Sequence, residues 1–179
     1  MRKILNSELH RVSNEEFKSI PKTPILLIAD NIRSLNNIGS LFRTADAFAI
    51  EKIYLCGITA TPPNREIHKT ALGAELTVEW DYFSESVAAA QKAIADGYVL
   101  TAVEQVEGAV MLNDFVVDPN TKYAIVMGNE VDGVSQEVVD LCQMAIEIPQ
   151  IGTKHSLNVS VAAGVVRWAL FKQYRKDEI

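Results

Sequence analysis

Ile148-Pro149-Gln150-Ile151-Gly152-Thr153-Lys154-His155-Ser156-Leu157-Asn158-Val159-Ser160-Val161-Ala162-Ala163-Gly164 reads as a strand end, a polar loop and the start of a helix. Ser156, Asn158 and Ser160 occupy every second position of a segment otherwise built for burial. A buried hydroxyl or amide left without a partner costs roughly 1–3 kcal/mol. Such a cluster at a helix N-terminus is therefore either a cap or a binding site.

The chain leading to that segment alternates strand-length apolar runs with amphipathic stretches. The runs are Ile25–Ala29, Lys52–Cys56, Thr77–Trp80, Tyr98–Val103, Tyr123–Met127 and Met144–Ile148. Helix-like stretches fall at about Asn37–Phe48, Asn64–Leu72, Ser84–Asp96, Ser135–Leu141 and Asn158–Tyr174. This alternation predicts an α/β fold, a mostly parallel sheet with helices on both faces, whose ligands bind outside the carboxyl ends of the strands. Residues 1–24, polar and closed by Pro21 and Pro24, read as a short N-terminal extension carrying a loose helical pair, and residues 25–179 as one domain. Glu104–Asn120 is a long polar connection and a candidate site loop. In the last helix, Val161, Val165, Ala169 and Leu170 are expected on one apolar face, and Gly164 hints at close packing.

Composition narrows the function. The formal charge is −6, and residues 25–166 hold only 8 of the 17 basic side chains but 18 of the 23 acidic ones, so any nucleic-acid contact is a local patch. Cys56 and Cys142 lie far apart in apolar stretches and read as buried thiols. With no apolar leader and no membrane-length run, a cytoplasmic protein is expected. Neither G-x-G-x-x-G nor a phosphate loop is present, and His10, His68 and His155 lack partners at metal-ligand spacing. Ser156 sits on no G-x-S-x-G elbow, which disfavours a serine hydrolase.

What remains is polar chemistry at three strand-to-helix junctions: Asn31–Asp46, Gly128–Gly133 and the opening segment. In the first, Asn36 or Asn37 is the expected helix cap, and Arg43 lies at helical spacing from Gly39, Ser40 and Asp46, where an Arg43–Asp46 surface pair is the bland alternative.

Together the junctions resemble the three motifs of the SpoU class of RNA ribose 2′-O-methyltransferases, TrmH-like members of the SPOUT superfamily. The first resembles N-x-x-N-x-G-x-x-x-R-T-A, the second G-N-E-x-x-G and the third I-P-x-x-G-x-x-x-S-L-N-V-S-V-A; the match runs from about Ile25 to Tyr174. The resemblance implies a C-terminal trefoil knot, a rare departure from the rule against threaded loops. It also implies S-adenosylmethionine as cofactor, an RNA substrate, and a homodimer with sites shared between subunits. Matched position by position, Asn37, Arg43, Glu130, Ser156 and Asn158 become the candidate catalytic residues, and backbone at Gly128, Ile148 and Leu157 the cofactor cradle. Glu130 is expected either to anchor Arg43 or to close the site across the loop. Val131 replaces a frequent second glycine and Gln150 a frequent methionine. Ile-Pro-Gln with G-N-E-x-x-G is closer to the branch acting on guanosine in the tRNA D-loop, with ribosomal RNA or a catalytically inactive RNA-binding role as alternatives. Arg33, Arg65, Lys69 and Lys154 are the candidate phosphate contacts, each also readable as simple surface charge.

Overall fold

In the computed structural model, which describes residues 1–9 and 11–178, strands β1 (Thr23–Asp30), β2 (Ile50–Cys56), β3 (Trp80–Phe83), β4 (Tyr98–Val103), β5 (Val110–Met111), β6 (Lys122–Met127) and β7 (Met144–Glu147) form one sheet. Their order is β3-β2-β1-β6-β4-β7-β5 and every pairing is parallel. The helices are α1 (Asn14–Ser19), α2 (Leu35–Ala47), α3 (Arg65–Ala71), α4 (Ser86–Ala95), α5 (Gln136–Val139) and α6 (Val159–Tyr174). His10, one of the three scattered histidines, lies outside the described residues.

The central strand β1 is buried on both sides, as its unbroken apolar run requires of a parallel strand. Its period of two splits the core: Ile25, Leu27 and Ala29 pack with α2, α3 and α6, while Leu26 and Ile28 pack with α4 and α5. Phe17 of α1 joins the first layer. Of the two free cysteines Cys56 is buried and Cys142 half-buried; burial pushes the Cys56 thiol to about 12 and Cys142 to about 11.

Strand order locates the C-terminal segment. The connection from β4 to β6 runs outward to β5 at the sheet edge before returning, and β7, formed later, lies between β4 and β5, inside that excursion. From β7 the chain crosses to α6, which packs on α2 and β1. This placement is consistent with the expected knot.

Three local expectations need correction, and one short strand was not expected. The strand expected at Thr77–Trp80 starts only at Trp80, because Thr77 closes a 3₁₀ turn over Ala74–Leu76 and donates its hydroxyl to Asp46 Oδ2 at 2.8 Å. Two-residue β5 is too short to show a period. On α6 the inward face is Val159, Ala162, Ala163, Val166 and Leu170, so Val161 (53% exposed) and Val165 (39%) point outward with Trp168 (48%). Gly164 is not tightly packed: a Cβ there would meet only Thr44 Cγ2, at 3.9 Å.

Candidate active site

At the carboxyl ends of the strands a cavity of about 550 Å³ opens between the end of β4, the loop after β6, Ile148 and the segment His155–Val159. The loop after β6 is self-contained. Asn129 and Gly133 exchange backbone hydrogen bonds at 3.1 and 3.2 Å, and Asn129 Oδ1 accepts from the N–H groups of Val131 and Asp132, each at 2.9 Å. Its neck demands glycine: a Cβ on Gly128 would fall 1.9 Å from the Gly133 carbonyl carbon, and Gly133 has φ +71°.

Helix α2 is capped by Ser34, whose hydroxyl accepts from the Asn37 N–H at 3.3 Å, and not by Asn36 or Asn37. That frees the Asn37 amide for longer-range work. Its Nδ2 donates to Glu130 Oε1 at 2.8 Å, and its Oδ1 accepts from Asn158 Nδ2 at 3.1 Å; the Ser160 hydroxyl, 3.4 Å from the same oxygen, lies closer to Asn158 Oδ1, at 2.6 Å. Asn158 also caps α6, its Oδ1 accepting from the N–H groups of Ser160 (3.0 Å) and Val161 (3.4 Å). Glu130 Oε2 accepts from the Arg33 N–H at 3.3 Å. Burial works to raise the Glu130 pKa, but hydrogen bonds from the Asn37 side chain and the local backbone outweigh it and hold the carboxyl below its ordinary value. One polar network thus ties all three junctions together.

Gly128, Ile148, Ser156, Leu157, Asn158 and Glu130 all line the cavity, while Asn37 reaches its rim through Glu130 and Asn158. Arg43 does not join them. It is exposed, lies about 9 Å further along α2 than Asn37, and makes no hydrogen bond or ion pair among the described residues. Glu130 accepts from Asn37 Nδ2 and the Arg33 N–H and makes no hydrogen bond or ion pair with Arg43 among the described residues. Nor does Arg43 pair with Asp46, whose carboxylate is taken by Thr77. All four candidate phosphate contacts, Arg33, Arg65, Lys69 and Lys154, are exposed, and Lys69 pairs with Glu66 at 2.7 Å.

Sequence reasoning gave Ser160, Glu104 and Gln105 no individual role, though it had placed the first in the polar cluster and the other two at the start of the candidate site loop, and it passed over Asp30. Ser160 was visible in the alternating Ser-Leu-Asn-Val-Ser pattern. Glu104 and Gln105 close β4 and line the cavity, and Gln105 Nε2 donates to the His155 carbonyl at 2.8 Å. The signal for Asp30 was a carboxylate ending a fully apolar strand, where it is 1% exposed.

A profile of the SpoU rRNA Methylase family matches residues 24–168. The 23S rRNA (guanosine-2′-O-)-methyltransferase RlmB of Neisseria meningitidis serogroup B is 29% identical over 160 residues, which cover 89% of this chain and 63% of that protein. The A. aeolicus TrmH/SpoU tRNA modifying enzyme superposes with a TM-score of 0.79 at 25% identity, over 92% of this chain and 82% of that one. The SpoU methyltransferase AviRb of Streptomyces viridochromogenes, solved with the cofactor AdoMet, shares the fold with a TM-score of 0.73 at 22% identity, over 90% of this chain and 64% of that one. The chain spans 58% to 63% of the length of the first sequence relatives it matches.

Proposed function

Because the chain belongs to the SpoU rRNA methylase family, we propose that it transfers a methyl group from S-adenosylmethionine to the ribose 2′-OH of a guanosine in a structured RNA. The observation that carries this reading is a cavity of cofactor size whose rim bears the Asn37–Glu130–Asn158 network. Its volume falls in the range of small-molecule sites, roughly 300–1,000 Å³. Gly128 places bare backbone at the wall, and backbone at Gly128, Ile148 and Leu157 would hold the cofactor. When bound, the cofactor would supply a methyl group on a positively charged sulfur that departs as a neutral thioether, while the ribose 2′-OH gives up its proton to solvent.

The task left to the protein is alignment and electrostatics. Asn37, fixed by donating to Glu130 and accepting from Asn158, sets the junction against which the ribose docks. Ser156, exposed at the cavity edge, lies where the incoming nucleotide passes. A guanidinium keeps its proton in nearly every protein setting, so Arg43 is assigned to the phosphate and the 2′-OH as an orienting cation, not as the base.

Arg43 does not line the cavity of its own chain, which favours a homodimer with shared sites. The exposed stripe Val161, Val165 and Trp168 is the face such a partner would cover. Thr44 and Phe48 of the α2 end border that stripe, Phe48 with its ring 5.8 Å from Trp168, so a second copy docked there lies beside the helix that carries Arg43. Arg33, Arg65 and Lys154, each exposed, are the side chains offered to the RNA phosphates. Among the described residues no helix is long and apolar enough to cross a membrane, and the cytoplasm is the proposed place of action.

Gln150 favours a tRNA substrate, and the A. aeolicus relative is named for tRNA. The second reading, 23S rRNA, is supported by the name of the Neisseria relative. The test is calorimetric titration with S-adenosylmethionine, followed by incubation of labelled cofactor with unmodified tRNA and 23S rRNA transcripts and mapping of the modified nucleotide. Binding with transfer to a guanosine ribose supports the proposal, and binding without transfer to either RNA indicates an inactive RNA-binding member. Arg43→Ala should cost more than tenfold in single-turnover rate, about 1.4 kcal/mol.

A further inference from the structure

The loop Gly128–Gly133 is braced internally, so its position depends on how its exit is fastened. Two consecutive backbone amides do this. The Val134 N–H donates to Glu104 Oε2 and the Ser135 N–H to Asp30 Oδ2, both at 3.1 Å. The carboxylates come from the ends of different strands, β4 and β1. Each is itself held. Glu104 Oε1 accepts from the Gln105 N–H at 2.9 Å, and Asp30 Oδ1 accepts from Asn31 Nδ2 at 2.8 Å and from the Ser86 hydroxyl. Asp30 is buried, whereas Glu104 stands in the cavity wall against Gly133, where a Cβ would fall 2.1 Å from Glu104 Oε2.

We infer that Glu104 and Asp30 form a carboxylate clamp that positions the Gly128–Gly133 loop, and that Glu104 thereby sets how tightly the cavity holds its cofactor. Glu130 rides on the same loop, so the clamp also fixes the carboxylate that holds Asn37. These are positioning residues: they act through backbone amides of the loop. The cofactor part of the inference rests on the reading of the cavity given above.

The test uses the full chain with Glu104→Gln, which keeps size and one acceptor oxygen but turns an amide donor toward one of the two N–H groups. Charge-assisted hydrogen bonds are worth more than neutral ones, and losing one should weaken S-adenosylmethionine binding about tenfold. Hydrogen exchange at Val134 and Ser135 should accelerate while that of β1 and β6 is unchanged. A merely structural Glu104 would lower the melting temperature and the active fraction but leave the affinity of the folded protein within twofold, and that result overturns the inference. Unchanged exchange at Val134 also overturns it. A wild type that binds no S-adenosylmethionine overturns the reading of the cavity instead, and the exchange measurement still decides the clamp.

Discussion

Replacing Asn158 by Asp should separate the two duties its side chain performs. The Oδ1 atom caps α6 through the Ser160 and Val161 N–H groups, while Nδ2 donates to Asn37 Oδ1 at 3.1 Å. Asn158→Asp keeps an acceptor for the cap but sets oxygen against oxygen at Asn37. Asn158→Ala loses both contacts. Loss of an N-cap costs about 1 kcal/mol, and in a chain of this size that lowers the melting temperature by roughly 2–4 °C. The Asp variant should hold its melting temperature, because a carboxylate at a helix N-terminus contributes about 0.3–1 kcal/mol of its own. The Asn37 bond is a neutral pair in a partly exposed setting, worth about 1 kcal/mol, with a further cost for the stranded Asn37 oxygen. Together these predict about a tenfold loss in kcat/KM for both variants. Thermal denaturation and methyl transfer to transcribed RNA, measured on the same preparations, read the two duties separately. If Asn158→Asp transfers methyl groups at the wild-type rate and Asn158→Ala loses only stability, Asn158 is a cap and nothing more.

Glu130 has a folded-state pKa below its unfolded value, so its stabilisation is present above the unfolded value and is lost as pH falls through the folded one. The melting-temperature gap between wild type and Glu130→Gln should therefore be constant from pH 7 to about 5 and close below about pH 4; a gap indifferent to pH would contradict the network. Arg167 is fully buried on α6, donates to the Ala163 and Leu41 carbonyls at 2.9 Å, leaves Nη2 without a partner, and is pushed down to about 9 by desolvation. With no carboxylate bonded to it, Arg167→Met should unfold no more than about 1 kcal/mol more easily than wild type, and a loss above about 3 kcal/mol in denaturant titration would show the two carbonyl bonds dominate. Trp168→Glu should yield a monomer by sedimentation and abolish transfer. Mixing Arg43→Ala with Gly128→Ala chains, each inactive alone, should restore about a quarter of wild-type activity, since half the dimers are mixed and carry one intact site of two; no recovery would place each site within one chain.

The layered sheet was legible because parallel strands buried on both faces must be apolar throughout, and Ile25–Ala29 and Tyr123–Met127 are. The strand ahead of Ser84 was misplaced because Thr77 and Val78 carry β-branched side chains that suit a strand equally well, while Thr77 instead closes the 3₁₀ turn over Ala74–Leu76 and gives its hydroxyl to Asp46, a contact 31 residues away in sequence. Strand order is set by pairing across the whole chain. For that reason the insertion of β7 between β4 and β5 left no mark on the local pattern.

The site divides along the same line. Gly128, Asn158 and Glu130 were legible because a tight neck, a helix cap and a loop carboxylate are each dictated by residues a few positions away. Glu104 and Asp30 were not, since what distinguishes them is the amide each receives, from positions 30 and 105 residues distant in sequence. Arg43 is the opposite case: its motif marks it plainly, yet its own chain leaves it outside the cavity. A long cation kept on a solvent-facing helix position, unpaired while acids lie nearby, serves chemistry only if its target arrives from elsewhere. The apolar stripe Val161–Trp168 on the neighbouring helix is the face that the proposed second copy would cover, and under that proposal dimerisation becomes a condition of catalysis.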